Sequence, residues 1–154
     1  MPFVVRSTIA AELQSFRRLA TESATNRRPV LTQIGFYLLA KEQEHFNRLV
    51  TTGSSNGVTW PKPSDATLAR RRALAKRGLL ANADPEQIGV LSGKLAGGFR
   101  FRTTSNQVRI SNVTPYAGAF GARRPLYPTS FPGDWLAGCD AIAQRGIDRL
   151  FRNS

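Results

Sequence analysis

Residues Val90 to Ala117 read VLSGKLAGGFRFRTTSNQVRISNVTPYA, and one alternation inside them decides the fold. Phe99 and Phe101 alternate with Arg100 and Arg102; after Thr104, Ser105 and Asn106, the apolar Val108 and Ile110 alternate with Arg109 and Ser111. A period of two is that of a strand, because successive side chains point to opposite faces. The pattern predicts a β-hairpin with one apolar and one basic face, turned at Thr, Ser and Asn side chains that hydrogen-bond their own backbone. Pro115 cannot donate to a ladder and ends the second strand. Arg100, Arg102 and Arg109 make the basic face and are the candidates to meet DNA.

Working outward, helices flank this hairpin. Ser7 is placed to cap a first helix in which Ile9, Leu13, Phe16 and Ala20 form an apolar stripe opposite Arg17, Arg18 and Glu22, ending in the polar stretch 26–28. Pro29 is expected in the first turn of a second helix, where a missing N–H costs no bond. Its Leu31, Ile34, Leu38, Leu39, Phe46 and Leu49 predict the main core face. Residues 51–58, rich in Gly, Ser, Thr and Asn, read as a flexible loop.

Trp60 follows, fixed by Pro61 and Pro63, as an anchor that either fills the core of its own domain or reaches a neighbour. Ser64 caps a third helix that ends at Gly78 and carries Arg70, Arg71, Arg72, Lys76 and Arg77. Three readings of that cationic run stand: a solvated face complementing the helix dipole, a contact with an acidic neighbour, or a contact with DNA phosphates. Beyond the hairpin, residues 118–133 interleave glycines and prolines with Phe120, Arg123, Arg124, Tyr127 and Phe131, the composition of a loop that stacks bases or anchors a protein interface. Asp134 is expected to cap a last helix with Trp135, Leu136, Cys139, Ile142, Ala143, Ile147, Leu150 and Phe151 on or near one face, closing the core over the hairpin. The result is an α+β fold: N-terminal helices and a C-terminal helix packed on a small antiparallel sheet built around the hairpin. At 154 residues it is expected to be one domain, 1–154, with 1–28 either docked or an N-terminal helical arm.

Composition narrows the chemistry. Twenty-two Lys and Arg against ten Asp and Glu give a net charge of +12, which directs the surface toward polyanions or acidic protein faces. One cysteine, Cys139, forms no intrachain disulfide, suits a reducing cytoplasm and reads as a small buried apolar residue. One histidine, His45, flanked by Glu42 and Glu44, has no His or Cys partner for a metal and is expected at the surface or an interface. Gly89 to Lys94 lacks the spacing and the Ser or Thr of a phosphate-binding loop, and Ser92 with Lys94 lacks the spacing of a Ser-x-x-Lys nucleophile. No catalytic constellation stands in the sequence, so no enzyme, cofactor, metal or small-molecule substrate is expected. Without a long apolar run or a signal-peptide pattern, no membrane partner is expected either.

The segments around the hairpin also carry a resemblance. Trp60, Pro63, Ser64 and Thr67, then Val90, Leu91, Ser92, Gly93 and Leu95, then Pro115, Tyr116 and Ala117, then Arg124, Pro125 and Leu126 follow, in order, four motifs of the phage virion morphogenesis family. These are the tail-completion or head-to-tail joining proteins of tailed bacteriophages. Ser92 stands where the family has Thr, Pro63 is one place off the usual Leu, and Gly118 to Gly121 replace the residues that commonly follow Pro-Tyr-Ala. The resemblance implies a non-catalytic structural virion protein of the phage neck, assembled in the host cytoplasm. It also implies a ring, most often a hexamer, around the channel through which genomic DNA passes, between connector or head-completion proteins and tail-terminator or tail-tube proteins. On that view Trp60, Arg70, Arg71, Arg72, Tyr116, Phe120, Arg123, Arg124, Tyr127 and Phe131 are the candidates for subunit or partner contacts. The alternative is a basic nucleic-acid-binding module acting in phage assembly.

Overall fold

The computed structural model describes residues 3–6, 14–79 and 93–152. Ser7, Ile9, Leu13, the side chains of Phe16 and Arg17, and Val90, Leu91 and Ser92 of the second motif lie outside the described residues. The elements in chain order are β1 (Phe3–Arg6), α1 (Gln14–Thr21), α2 (Ala24–Thr52), β2 (Ser54–Ser55), β3 (Val58–Thr59), α3 (Asp65–Lys76), β4 (Phe99–Thr103), β5 (Gln107–Asn112), α4 (Ala117–Arg123) and α5 (Gly133–Arg152), with a 3-10 turn at Ala96–Gly98. The fold is α+β, with helices and small antiparallel sheets.

The hairpin forms as its alternation requires. Phe99, Val108 and Ile110 are buried, whereas Arg100, Arg102 and Arg109 are exposed. Fully burying a Phe, Val or Ile side chain contributes about 1.5–3 kcal/mol, which fixes the face and so the register. A third strand joins it: β1 pairs antiparallel with β5, Phe3 opposite Ile110 and Arg6 opposite Gln107, in the order β1-β5-β4. The β-branched pair Val4-Val5 is the sequence sign of that strand.

The chain folds as two compact units. The first comprises residues 1–42, 100–111 and 131–154. In it α1 packs on α5, with Ser15 Oγ donating to Gln144 Oε1 at 2.9 Å and Leu19 buried, so this part of residues 1–28 is docked. On the hairpin side of α2, Phe36 meets Phe101 edge-on at 4.8 Å. Helix α5 comes close to α2 where Gly146 faces Val30; a Cβ there would collide with the branched Val30 side chain. Gly146→Leu is therefore expected to destabilise the protein by about 1–3 kcal/mol through overpacking, read as a lower urea midpoint.

Several boundaries differ from the sequence reading. The second helix starts at Ala24, not Pro29, because Ser23 caps it: its Oγ accepts from Asn26 N at 3.3 Å and its carbonyl accepts from Arg27 N at 2.9 Å. Pro29 then lies inside α2 and removes one bond from a helix of 29 residues. Ala20, expected on the buried stripe of α1, is exposed, and Ser15 and Leu19 are buried instead. On α5, Asp134 lies in the first turn, where its charge complements the dipole, while the Pro132 carbonyl accepts from Trp135 N and Leu136 N at 3.1 Å. Phe151, placed near the apolar face, is 68% exposed at the end of α5.

The second unit comprises residues 43–99 and 112–130. Residues 51–58 are not a flexible loop: α2 runs to Thr52 and a small hairpin follows, Ser54 opposite Thr59 and Ser55 opposite Val58. Its turn is Asn56-Gly57, with φ of 46° and 78°. Positive φ at both central residues is the turn whose twist matches paired strands, and Asn-Gly is the sequence that tolerates it. Helix α3 has the predicted ends. Ser64 Oγ accepts from Thr67 N at 3.3 Å; Gly78 N and Leu79 N reach back to the Ala75 and Leu74 carbonyls at 2.9 and 3.0 Å.

Candidate functional site

Two features gather the residues singled out from the sequence. The first is an aromatic junction in the second unit. Tyr127, Phe99, Phe46, Trp60 and Phe120 follow one another edge-on, with centroid separations of 6.3, 5.4, 5.7 and 5.4 Å. Edge-to-face pairs at such separations add about 0.5–1.5 kcal/mol each beyond area burial. Trp60, 2% exposed, is a core residue and not an interface anchor: its Nε1 donates to the Pro125 carbonyl at 2.8 Å, and its backbone N donates to Gly53 O at 2.7 Å.

The end of β5 and the residues just after it are held to Tyr127 of this junction and to the segment before β4. Asn112 N donates to Tyr127 Oη at 3.0 Å, Asn112 Nδ2 to the Leu95 carbonyl at 2.7 Å, and Thr114 Oγ1 to the Lys94 carbonyl at 3.2 Å. Part of the segment expected as an irregular loop is helix α4, started by the turn Ala117 N to Thr114 O and seated by the buried Ala117 and by Phe120 on Trp60. Arg124, half-buried, donates from Nη2 to the Pro61 carbonyl at 3.1 Å.

Arg71 is also inside. It is 6% exposed, and burial, with the charge of Arg124 adding to it, pushes its guanidinium below the ordinary arginine range. Of the cationic run in α3, only Arg70 and Arg72 of the three expected arginines face water. Tyr116 and Arg123 are exposed, whereas Tyr127 and Phe131 are half-buried, the latter edge-on to Trp135 at 6.0 Å in the first unit.

The second feature is the basic face of the β4–β5 hairpin, in the first unit. Thr104 N donates to Gln107 O and Val113 N to Gly98 O, both at 2.9 Å, and the two bonds fix a single register. In that register Arg102 stands directly opposite Arg109, and Arg100 opposite Ser111. Among the described residues the side chain of neither Arg102 nor Arg109 has a hydrogen bond or ion pair. No protein-family model matches the chain, and neither a curated protein nor a solved structure matches it.

Two buried ionisable groups escaped the sequence reading. His45, expected at the surface or an interface, is 1% exposed in the second unit. Its Nδ1 lies 2.9 Å from Ser55 Oγ and 3.3 Å from Asn56 Nδ2. Burial first, and Arg48 second, push it down to about 4, so it is neutral near pH 7. Glu42, at the edge of the first unit, is 1% exposed, and neither carboxylate oxygen has a hydrogen-bond partner among the described residues. Burial pushes it up to about 8. Cys139 is buried as expected, its thiol pushed up to about 12 by burial and by Asp140. Among the described residues no three of His, Cys, Asp and Glu come together as a metal site, and no helix is long and apolar enough to cross a membrane.

Proposed function

We propose that the chain is a structural virion protein of the phage neck, joining the head connector to the tail as a ring around the DNA channel. The observation that carries this reading is the junction at Trp60. The segments resembling the family motifs are separate in sequence, yet in the second unit Trp60 and Pro61 of the first bond to Pro125 and Arg124 of the fourth, and Lys94 and Leu95 of the second bond to Thr114 and Asn112, just before the third, whose Ala117 is buried. A hydrogen bond between Trp60 and Pro125, matched to two different motifs, supports a shared fold better than the order of the motifs alone. Arg70, Arg72, Tyr116 and Arg123 remain exposed and supply the ring contacts, which are heterologous and close by rotation.

The test is to disrupt the gene in a phage that carries it and to view the lysate by electron microscopy. Filled heads and finished tails should accumulate unjoined, and added purified protein should join them. Joined, infectious particles formed without the protein would overturn the reading.

A further inference from the structure

We infer that the outer face of the β4–β5 hairpin is a binding site for the phosphate backbone of duplex DNA, independent of base sequence. The inference does not rest on the neck reading, because the face belongs to the chain whether or not it joins heads to tails.

The first ground is the register. Arg102 and Arg109 form a directly opposed, hydrogen-bonded pair of positions, with Cα atoms about 5.5 Å apart in such a pair. Like charges directly opposite one another destabilise a sheet. The pair therefore contributes nothing to folding on that face, and an anion bridging it converts repulsion into attraction. Arg100 is exposed on the same strand, two residues from Arg102. No Asp or Glu stands anywhere between Glu86 and Asp134, so neither strand of the hairpin offers these cations a carboxylate.

The second ground is what the face lacks. Its aromatic residues point the other way: Phe99 is buried and Phe101 meets Phe36. Single-stranded nucleic acid is held largely by stacking bases on aromatics, and this face has none to offer. What it presents is guanidinium forks, which match phosphate oxygens, beside the exposed Ser105 and Asn106 of the turn, whose hydroxyl and amide are of the kinds that donate to phosphates as well. A net charge of +12 draws the polyanion in and steers it to the site.

The experiment is a fluorescence-anisotropy titration of the full chain with a labelled duplex, repeated over a range of salt for two unrelated sequences. Each phosphate contact contributes about 0.9 to the slope of log affinity against log salt, so Arg102→Gln with Arg109→Gln should lower the slope by about 1.8. Between about 50 and about 200 mM salt the double variant should then lose about 12-fold less affinity than the parent, for both sequences alike. Arg145→Gln with Arg149→Gln removes the same charge from exposed positions of α5 and should leave the slope in place. Circular dichroism confirms that each variant is folded; the hairpin pair replaces exposed side chains without a hydrogen bond and should not melt lower. Three results would overturn the inference: no saturable binding by the parent at low salt, an equal fall in slope for the α5 pair, or displacement of the duplex by polyglutamate at matched charge, which would point to an acidic protein instead.

Discussion

Trp60→Ala should remove about 3–5 kcal/mol of stability, the range for truncating a buried large aromatic, and should do so in the second unit. Two costs combine. The indole leaves a cavity between Phe46 and Phe120, both of which meet it edge-on, and the Pro125 carbonyl loses the N–H that satisfies it at 2.8 Å. Trp60→Phe separates the two, because it retains an aromatic ring and loses only the donor; its expected cost is about 1–3 kcal/mol for the orphaned acceptor and the smaller ring. Hydrogen exchange locates the effect. Amides of residues 53–60 and 117–127 should lose protection in Trp60→Ala, while those of α1 and α5 should lose less. An alanine variant with an unchanged denaturation midpoint would show that Trp60 is not a core residue, and would leave the other reading of its proline-fixed setting, an anchor reaching a neighbour.

The parts of this molecule legible in the sequence are those written in periodicity. Phe99, Val108 and Ile110 declare the inner face of the hairpin, and the same alternation put Arg100, Arg102 and Arg109 outside. Helix α2 repeats apolar residues at 31, 34, 38, 46 and 49, all buried. Glu42 occupies the gap in that stripe, four residues from both Leu38 and Phe46, so its burial was legible from position although its chemistry argued against it. His45 precedes Phe46 on the same face. Less legible were features set by local competition or by distant residues. Ser23 starts α2 at Ala24, five residues before the proline, because a cap acts through one hydroxyl and leaves no period. Asn56-Gly57 was a readable turn signal hidden by the polar composition around it. Arg71 sits inside a run of cations that looks uniformly solvated, and only the fold puts it beside Arg124. Among aromatic residues, nothing local separates Trp60 from Tyr116; one is 2% and the other 42% exposed because one meets Pro125 across 65 residues of chain.

Raising the pH from 6.5 to 8.5 should destabilise the protein, and Glu42→Gln should abolish the effect. The Glu42 carboxyl has an ordinary value of 4.5 and is pushed up to about 8 in the fold, so between those values the unfolded chain has released a proton that the folded chain keeps. Fewer protons on the unfolded state mean that stability falls as pH rises, by about 1.4 kcal/mol per unit, on the order of 5 kcal/mol between the two values and about 2 kcal/mol of it above pH 6.5. His45 acts in the opposite direction over a lower range. Its value is 6.5 unfolded and about 4 folded, so the unfolded chain takes up a proton first and stability is lost as pH falls from 6.5 toward 4. From about 4.5 to 6.5 the two groups offset each other and stability is nearly level; above 6.5 only Glu42 still titrates. Cys139, with its thiol raised from 9 to about 12, contributes nothing below pH 9. Urea midpoints measured from pH 5 to 9 should therefore trace a plateau and then a decline for the parent. For Glu42→Gln, which retains the shape without the charge, the decline should disappear and the midpoint at pH 8.5 should exceed the parent's. A parent curve that is level from pH 6.5 to 8.5 would mean that the Glu42 carboxylate ionises inside the fold with a cation beside it, and that the buried face of α2 carries a salt bridge in place of a neutral acid.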